Sequence, residues 1–397
     1  PFDHLIKGQG EDCLRYVVAS YVEGKTPEKY VSDKEYAYAG YNVESTLIFQ
    51  ESDAVSPGET LPIEFGRGCV FKCSYCTYNL TGKGFGDFTK SADVLYRTLM
   101  TNYERFGTTR YVIVDDTIND SLEKALVLQS VSRRLPFRFE FGGYMRLELF
   151  QKHPEMKDIY QECGLRAPVF GVETFNKQAG STVGKGYGER AKDTLQELWE
   201  FWGVEVPITI NLIIGLPFDS RYHIEKQQAW LEESKLGAVS YNPLSLKTLG
   251  DSPMSTGALE SFYKDYEPSD HEVSFLGNRL QTARAWKSDW FTFYEAVKYS
   301  EELRERYLKT RPDLLHRVNG FIVLNSLGHV SLDALKTDTP VDVFLSRLGD
   351  TILSKYANAI EQVSIEERPF PTEAVYPQRS SYSPRIPITT VLNRGLR

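Results

Sequence analysis

The sequence predicts an α/β protein, a partial (β/α)6 barrel of parallel strands with a helical C-terminal extension. Three observations predict it. Between Leu61 and Pro243, short apolar runs rich in β-branched residues alternate with amphipathic helical stretches, the pattern of right-handed βαβ units around a parallel sheet. Gly107, Gly164 and Gly203 stand where three of those helices would end in a left-handed cap. Three cysteines, Cys69, Cys73 and Cys76, crowd the loop directly after the first run, at the C-terminal mouth where such barrels place their chemistry.

Taken in order, Gly10 to Gly24 reads as one helix and Lys25 to Glu59 as an irregular crossing. Strands are expected over Leu61 to Phe65, Arg110 to Val114, Phe137 to Tyr144, Ala167 to Val172, Val206 to Ile214 and Ala238 to Asn242. Helices are expected over Ser91 to Phe106, Asp120 to Arg134, Leu147 to Cys163, Glu189 to Trp202 and Arg221 to Leu236. Six strands fit an incomplete barrel better than a closed one of eight. Beyond the barrel, Asp251 to Gly277 is polar and turn-rich, whereas Lys287 to Lys309 is strongly helical, with Phe293, Ala296, Val297, Leu303 and Tyr307 on one face. A further helical region covers Val341 to Gln362, and the five prolines from Pro369 to Pro387 predict an extended tail. The expected organisation is a terminal helix to residue 24, a linker over 25–60, the barrel over 61–245, a mostly helical domain over 246–365 and the proline-rich tail over 366–397. No internal repeat is found.

Composition excludes several classes. A net charge of -8 is the wrong sign for a protein whose affinity comes from neutralising many phosphates, so nucleic acid is not expected as a partner. No run of about 18 apolar residues occurs, and no charged-apolar-small leader opens the chain; no membrane contact is expected, and the cytoplasm is the default compartment. Five cysteines in 397 residues, two of them isolated, do not make a disulfide framework. The isolated Cys13 and Cys163, each on a helical stretch, read as small buried hydrophobes. The first residues read as the middle of a longer chain, and an upstream segment is expected.

The spacing C-x3-C-x2-C puts three soft thiolate ligands on one short loop. A structural zinc wants a fourth ligand, and neither histidine nor cysteine lies between Cys76 and His153. Three ligands suffice where the metal site keeps an open position for a substrate or cofactor. Gly66 and Gly68 let the backbone wrap closely around a bulky group, and Tyr75, between the last two ligands, can stack beside whatever binds there.

These residues resemble the signature of the radical SAM enzymes, whose C-x3-C-x2-C follows the first strand of a partial (β/α)6 TIM-like barrel. The resemblance implies a [4Fe-4S] cluster on Cys69, Cys73 and Cys76, with S-adenosylmethionine (SAM) on the open iron, cleaved reductively to methionine and a deoxyadenosyl radical. It also implies a reducing partner such as flavodoxin or ferredoxin. Further strand ends fit. Val114-Asp115-Asp116-Thr117-Ile118-Asn119 ends the second strand, where Asp115 and Asp116 either approach the methionyl amino group or cap the next helix. Arg146, after the third, either pairs with the SAM carboxylate or forms an ion pair. Gly171-Val172-Glu173-Thr174 is similar to the family's Gly-Ile-Glu-Ser/Thr stretch, which places Glu173 near the ribose. Gly184-Lys185-Gly186 is also similar, Lys185 being either a carboxylate contact or part of a mobile turn. Ile213-Ile214-Gly215-Leu216-Pro217 resembles the family's Ile-x-Gly-Leu-Pro turn, whose backbone edge at Ile214 would meet adenine.

Within that superfamily, Gly8-Gln9-Gly10-Glu11 before a helix is similar to the join between a cobalamin-binding domain and the barrel, with Gln9 departing from the pattern. Pro57-Gly58-Glu59-Thr60 and Thr81-Gly82-Lys83 also resemble the cobalamin-dependent class. The resemblance implies a cobalamin-binding domain before Pro1, of which Gly10 to Gly24 would be the last helix, and cobalamin-assisted methylation of a small molecule or peptide. The alternatives are a radical SAM enzyme that does not methylate and a degenerate barrel that binds cluster or cofactor without catalysis. A tRNA methylthiotransferase would need three further cluster cysteines, which Cys13 and Cys163 cannot supply. Trp286, Trp290, Phe291, Phe293 and Tyr294 lie close in sequence and read as packing residues or as a cap on the barrel mouth.

Overall fold

The computed structural model describes residues 3–310 apart from 8–9, 33–46, 51–52, 54, 56, 77–82, 85, 187, 235, 237, 245–266 and 277–279. The chain divides into two compact units, Pro1–Leu345 and Ser346–Arg397, and every described residue lies in the first. The expected helix over Val341 to Gln362, the proline-rich tail and the Thr81-Gly82 pair lie outside the described residues.

A small unit comes first. Strand β1 (Leu5–Lys7) and strand β2 (Tyr30–Ser32) pair in parallel around helix α1 (Gly10–Val22). Cys13, Val17 and Val31 form its separate core. The crossing expected to be irregular from Lys25 therefore contains a strand, too short for a propensity reading to detect.

The barrel sheet follows as six parallel strands in sequence order: β3 (Leu61–Ile63), β4 (Arg110–Ile113), β5 (Glu140–Met145), β6 (Leu165–Glu173), β7 (Thr209–Ile214) and β8 (Ala238–Pro243). Each lies within about three residues of an expected run. Between them run α2 (Ala92–Phe106), α3 (Leu122–Ser132), α4 (Glu148–Lys152), α5 (Met156–Cys163), α6 (Lys177–Thr182), α7 (Arg190–Trp202) and α8 (Arg221–Glu233). Ser91 and Ser121 begin α2 and α3 by accepting from amides three residues on. Between strands and helices lies one continuous core, including Phe65, Tyr111, Phe141, Tyr160 and Phe170, each such buried side chain contributing about 1.5–3 kcal/mol.

The expected single helix from Leu147 to Cys163 is two. Pro154 supplies no N–H and disfavours helical backbone at the residue before it; His153 sits at φ -131°, ψ 76°, and the chain turns between α4 and α5. Gly107 and Gly164 are left-handed caps as expected, whereas Gly203 takes φ 62°, ψ -153° and leads into a short 3-10 turn.

After β8 the polar stretch read as turns contains strand β9 (Glu267–Leu276), antiparallel to β10 (Leu280–Lys287). The segment expected to be mostly helical over 246–365 thus opens with a hairpin. Helix α9 (Phe293–Thr310) packs on β8, β7 and α8. Of the aromatic group beside it, Trp286, Phe291 and Phe293 are buried and Trp290 leans on Phe218, which makes them packing residues; Tyr294 is exposed.

At Gly164, φ is +94° and an added Cβ would lie 1.9 Å from the Phe139 carbonyl oxygen. Gly164→Ala is therefore expected to lower stability by at least about 2 kcal/mol, read as a fall in urea midpoint at unchanged slope; an unchanged midpoint would show that this turn relaxes freely.

Candidate functional site

The cysteine loop leaves β3 at Phe65 and is fastened at once. Asp115, just past β4, accepts from the Phe65 amide at 2.8 Å and the Gly66 amide at 2.7 Å. Its other partner is Lys124 Nζ on α3, 2.7 Å away, and both side chains are wholly buried. Lys124 also donates to the Thr117 carbonyl at 2.9 Å. Burial raises the Asp115 carboxyl above its ordinary value, with the ammonium and the two amides acting against it. Asp115 is thus committed to the protein's own backbone, not presented to a ligand. Asp116, half-buried, accepts from the Gly68 amide, and burial followed by the charge of Asp115 raises its carboxyl above the usual range.

The thiols meet polar neighbours. Thr117 Oγ1 lies 3.2 Å from Cys69 Sγ, and Arg146 Nη1 donates to Cys73 Sγ at 3.3 Å. All three cysteines are half-buried and free of disulfides. The Thr117 hydroxyl donates to the Asp116 carbonyl at 2.7 Å, so Arg146 is the donor aimed at sulfur here; such a donor favours a thiolate and is among the groups that tune a bound iron-sulfur cluster, and three thiols on one loop fit such a cluster. Among the described residues no three histidines, cysteines or carboxylates gather as ligands of a single ion.

Arg146 is the second fastening. Besides Cys73 it donates to the Gly184 carbonyl at 2.7 Å, pairs with Glu148 and stacks on Phe71, 3.6 Å from the ring centre. Ser74 Oγ donates to the Thr182 carbonyl at 2.8 Å. The loop is thereby tied to the segment after α6, and the guanidinium expected to meet a cofactor carboxylate is largely engaged within the protein.

Glu173 ends β6 in left-handed backbone, φ +67°, at a register shift against β7. Such a conformation costs a non-glycine residue about 1–3 kcal/mol and clusters at functional sites. Tyr75 donates its hydroxyl to Glu173 Oε1 at 2.5 Å, and Lys185 Nζ lies 3.7 Å from the same oxygen while donating to the Gly171 carbonyl at 2.6 Å. Burial pushes the Glu173 carboxyl up, with Lys185 and Tyr75 pulling the other way. Tyr75, Glu173 and Lys185 are therefore brought together with the cysteine loop. Ile214 is not: its side chain is fully buried and its carbonyl accepts from Leu244. Trp286 covers the next residue so closely that a Cβ at Gly215 would lie 2.4 Å from its ring.

Three residues of the site escaped the sequence reading. Thr117 belongs to the run already singled out. Lys124 stands at helical spacing with Leu128 and Val131, and a lysine inside an apolar stripe signals a buried cation seeking a carboxylate. Asp219, in the turn after β7, is 0% exposed, and burial pushes its carboxyl up to about 6 against Thr174 and Asn176.

Residues 63–226 match the family described as Radical SAM superfamily. No curated protein matches the chain. Among solved structures, the radical SAM methyltransferase TsrM from Kitasatospora setae aligns at 16% identity and TM-score 0.49, over 61% of this chain and 51% of that one. Coproporphyrinogen III oxidase (HemN) from Escherichia coli aligns at 16% and 0.41, over 55% and 57%. The cobalamin-dependent radical enzyme OxsB aligns at 14% and 0.40, over 64% and 38%. The chain thus spans roughly half the length of these structures or less.

Two outcomes are expected. Lys124→Met leaves a buried carboxylate unpaired and should cost about 3–5 kcal/mol, with iron content after reconstitution falling in parallel. Asp219 binds its proton more tightly folded than unfolded, so its contribution to stability is full below its ordinary value of 3.8 and is lost as pH rises through about 6. Asp219→Asn should therefore gain on the parent by about 2–3 kcal/mol between pH 4 and pH 7, measured by urea unfolding; parallel pH curves would exclude this.

Proposed function

Residues 63–226 being a radical SAM domain, we propose that the chain cleaves SAM reductively at a [4Fe-4S] cluster held by Cys69, Cys73 and Cys76, and uses the radical to modify a substrate. The observation that carries this is the cysteine loop itself: three half-buried thiols, one of them accepting from a guanidinium and another beside a hydroxyl, on a backbone fastened at both ends. When bound, cluster and SAM supply a one-electron cleavage of the sulfonium C–S bond that yields the deoxyadenosyl radical.

The chain's own residues do the rest. Arg146 donates to Cys73 and stabilises negative sulfur there, while the Thr117 hydroxyl, which donates to the Asp116 carbonyl, stands 3.2 Å from Cys69. Asp116, partly open at the mouth, is the carboxylate we assign to the SAM amino group, since Asp115 is taken. Glu173, held by Tyr75 and Lys185, is assigned to the ribose hydroxyls, two donors for one carboxylate. Tyr75 shields the open face of the loop. The burial that raises Glu173 also excludes water, which would otherwise compete for these contacts. The electron comes from a reducing partner of the flavodoxin or ferredoxin kind.

The finer reading is cobalamin-assisted methylation, with cobalamin carried by an α/β domain packed against β1, α1 and β2. Parallel sheets are normally covered on both faces, and two strands alone are marginal. Here α1 leaves Leu14, Val18, Tyr21 and Val22 exposed, the apolar surface such a domain would cover. Among the described residues no helix is long and apolar enough to cross a membrane.

Anaerobic reconstitution with iron and sulfide, then dithionite and SAM, should yield deoxyadenosine and methionine from the parent and none above background from Cys73→Ala. A cluster with full iron content that forms no deoxyadenosine would support the alternative of a binding module without catalysis.

A further inference from the structure

Strand residues alternate between the two faces of a sheet, which assigns the inner face of the barrel. On β7, Ile210, Leu212 and Ile214 are buried beneath the helices, so Asn211 and Ile213 face inward. Tyr241 on β8 donates to Gln228 of α8, which turns Ser240 and Asn242 inward. Phe141 and Met145 of β5 are buried on the helix side, Phe141 beside Tyr160, so Tyr144 is inner, and it is 42% exposed. Val114, one residue past the buried Ile113, is inner and 54% exposed.

Charge on this face is already matched. Towards the C-terminal ends of the described strands the charged side chains on this side are Glu64, paired with Arg67, Glu173, paired with Lys185, and the half-buried Asp116, which the reading above gives to the SAM amino group. A charged group entering beside Ser240 and Asn242 would shed water and find no free counter-charge among the described residues, at a cost of several kcal/mol. An uncharged amide meets the opposite situation. The Asn242 carboxamide both donates and accepts, and its present contacts are long: 3.2 Å to Ser240 Oγ and 3.4 Å to the Leu212 carbonyl, against an N–H···O optimum of about 2.9–3.0 Å. Three and four strands away in the sheet, Tyr144 and Val114 offer exposed apolar surface. Apolar walls with a few convergent polar groups are the ordinary makeup of a ligand cavity, and barrel chemistry sits at this end.

We propose that the inner face over Val114, Tyr144, Ser240 and Asn242 binds the substrate, and that the part of the substrate entering the barrel is uncharged: an amide or lactam against Ser240 and Asn242, joined to an apolar or aromatic group against Val114 and Tyr144. This rests on the radical SAM reading above, which makes the barrel interior the reaction chamber.

The test compares N-acetyl-L-phenylalaninamide with its anion counterpart N-acetyl-L-phenylalaninate. Saturation-transfer NMR is recorded on the reconstituted full chain with SAM and no reductant. The neutral probe should receive at least fivefold more saturation than the anion, and Asn242→Ala and Tyr144→Ala should each cut that at least threefold with cluster absorbance unchanged. Equal or stronger transfer to the anion, an undiminished signal in both variants, or no transfer to either probe overturns the assignment. Dithionite added to the same samples separates the two readings: deoxyadenosine alongside a failed probe comparison sinks the substrate class alone, whereas no deoxyadenosine sinks the reaction on which it rests.

Discussion

A buried ammonium, Lys124, and the carboxylate it faces, Asp115, set the geometry on which the site depends. At 2.7 Å and without solvent exposure, such a pair adds little net stability over an apolar replacement, because both ions forfeit hydration. What it does is positional. Asp115 holds the first two amides of the cysteine loop, and Lys124 holds the carbonyl of Thr117, whose hydroxyl approaches Cys69. Strand β3, strand β4 and helix α3 therefore meet at one point, three residues before the first thiol.

The far side of the loop is fixed by different means. Arg146 spans Cys73 and the Gly184 carbonyl while lying flat on Phe71, so one planar cation joins strand β5, the loop and the segment after α6. Tyr75 reaches Glu173, whose left-handed backbone is tolerated because Tyr75 and Lys185 both hold its carboxylate. The strain and the desolvation of Glu173 are offset by contacts that converge from three elements, which is how a scaffold holds a reactive group ready without a ligand.

The same sheet separates two kinds of surface. Its outer face is aromatic and closed, with Phe150, Phe170 and Trp202 in mutual ring contact. On its inner face Glu64 and Glu173 are ion-paired near the cysteine loop, and Ser240 and Asn242 of β8 are neutral and polar. Division of labour follows from alternation along each strand, one set of residues packing under the helices and the other facing the barrel interior.

How far this was legible in the sequence varies by kind of information. Periodicity determined the six strands, because strands buried on one side by helices must carry apolar runs, and local spacing determined the three cysteines, because they share one short loop. Asp116, Glu173 and Lys185 stand far apart in sequence and were singled out by resemblance to family motifs, not by local spacing. Roles were not legible where they depend on a partner distant in sequence. Asp115 and Arg146 each read two ways, as a cofactor contact or as a structural partner, until the fold brought Phe65, Gly66 and Lys124 to one and Cys73, Glu148 and Gly184 to the other. Ile214 read as an open edge until Trp286, seventy-two residues on, closed over the turn beside it. The strands Tyr30–Ser32 and Glu267–Leu276 exist through pairing, which leaves no periodic signature in a short or polar run. The sequence by itself determined the barrel and the clustering of three cysteines on one loop, since both are written in local pattern. Only the tertiary structure decided which charges remain available, since a charge is committed by its neighbours in space.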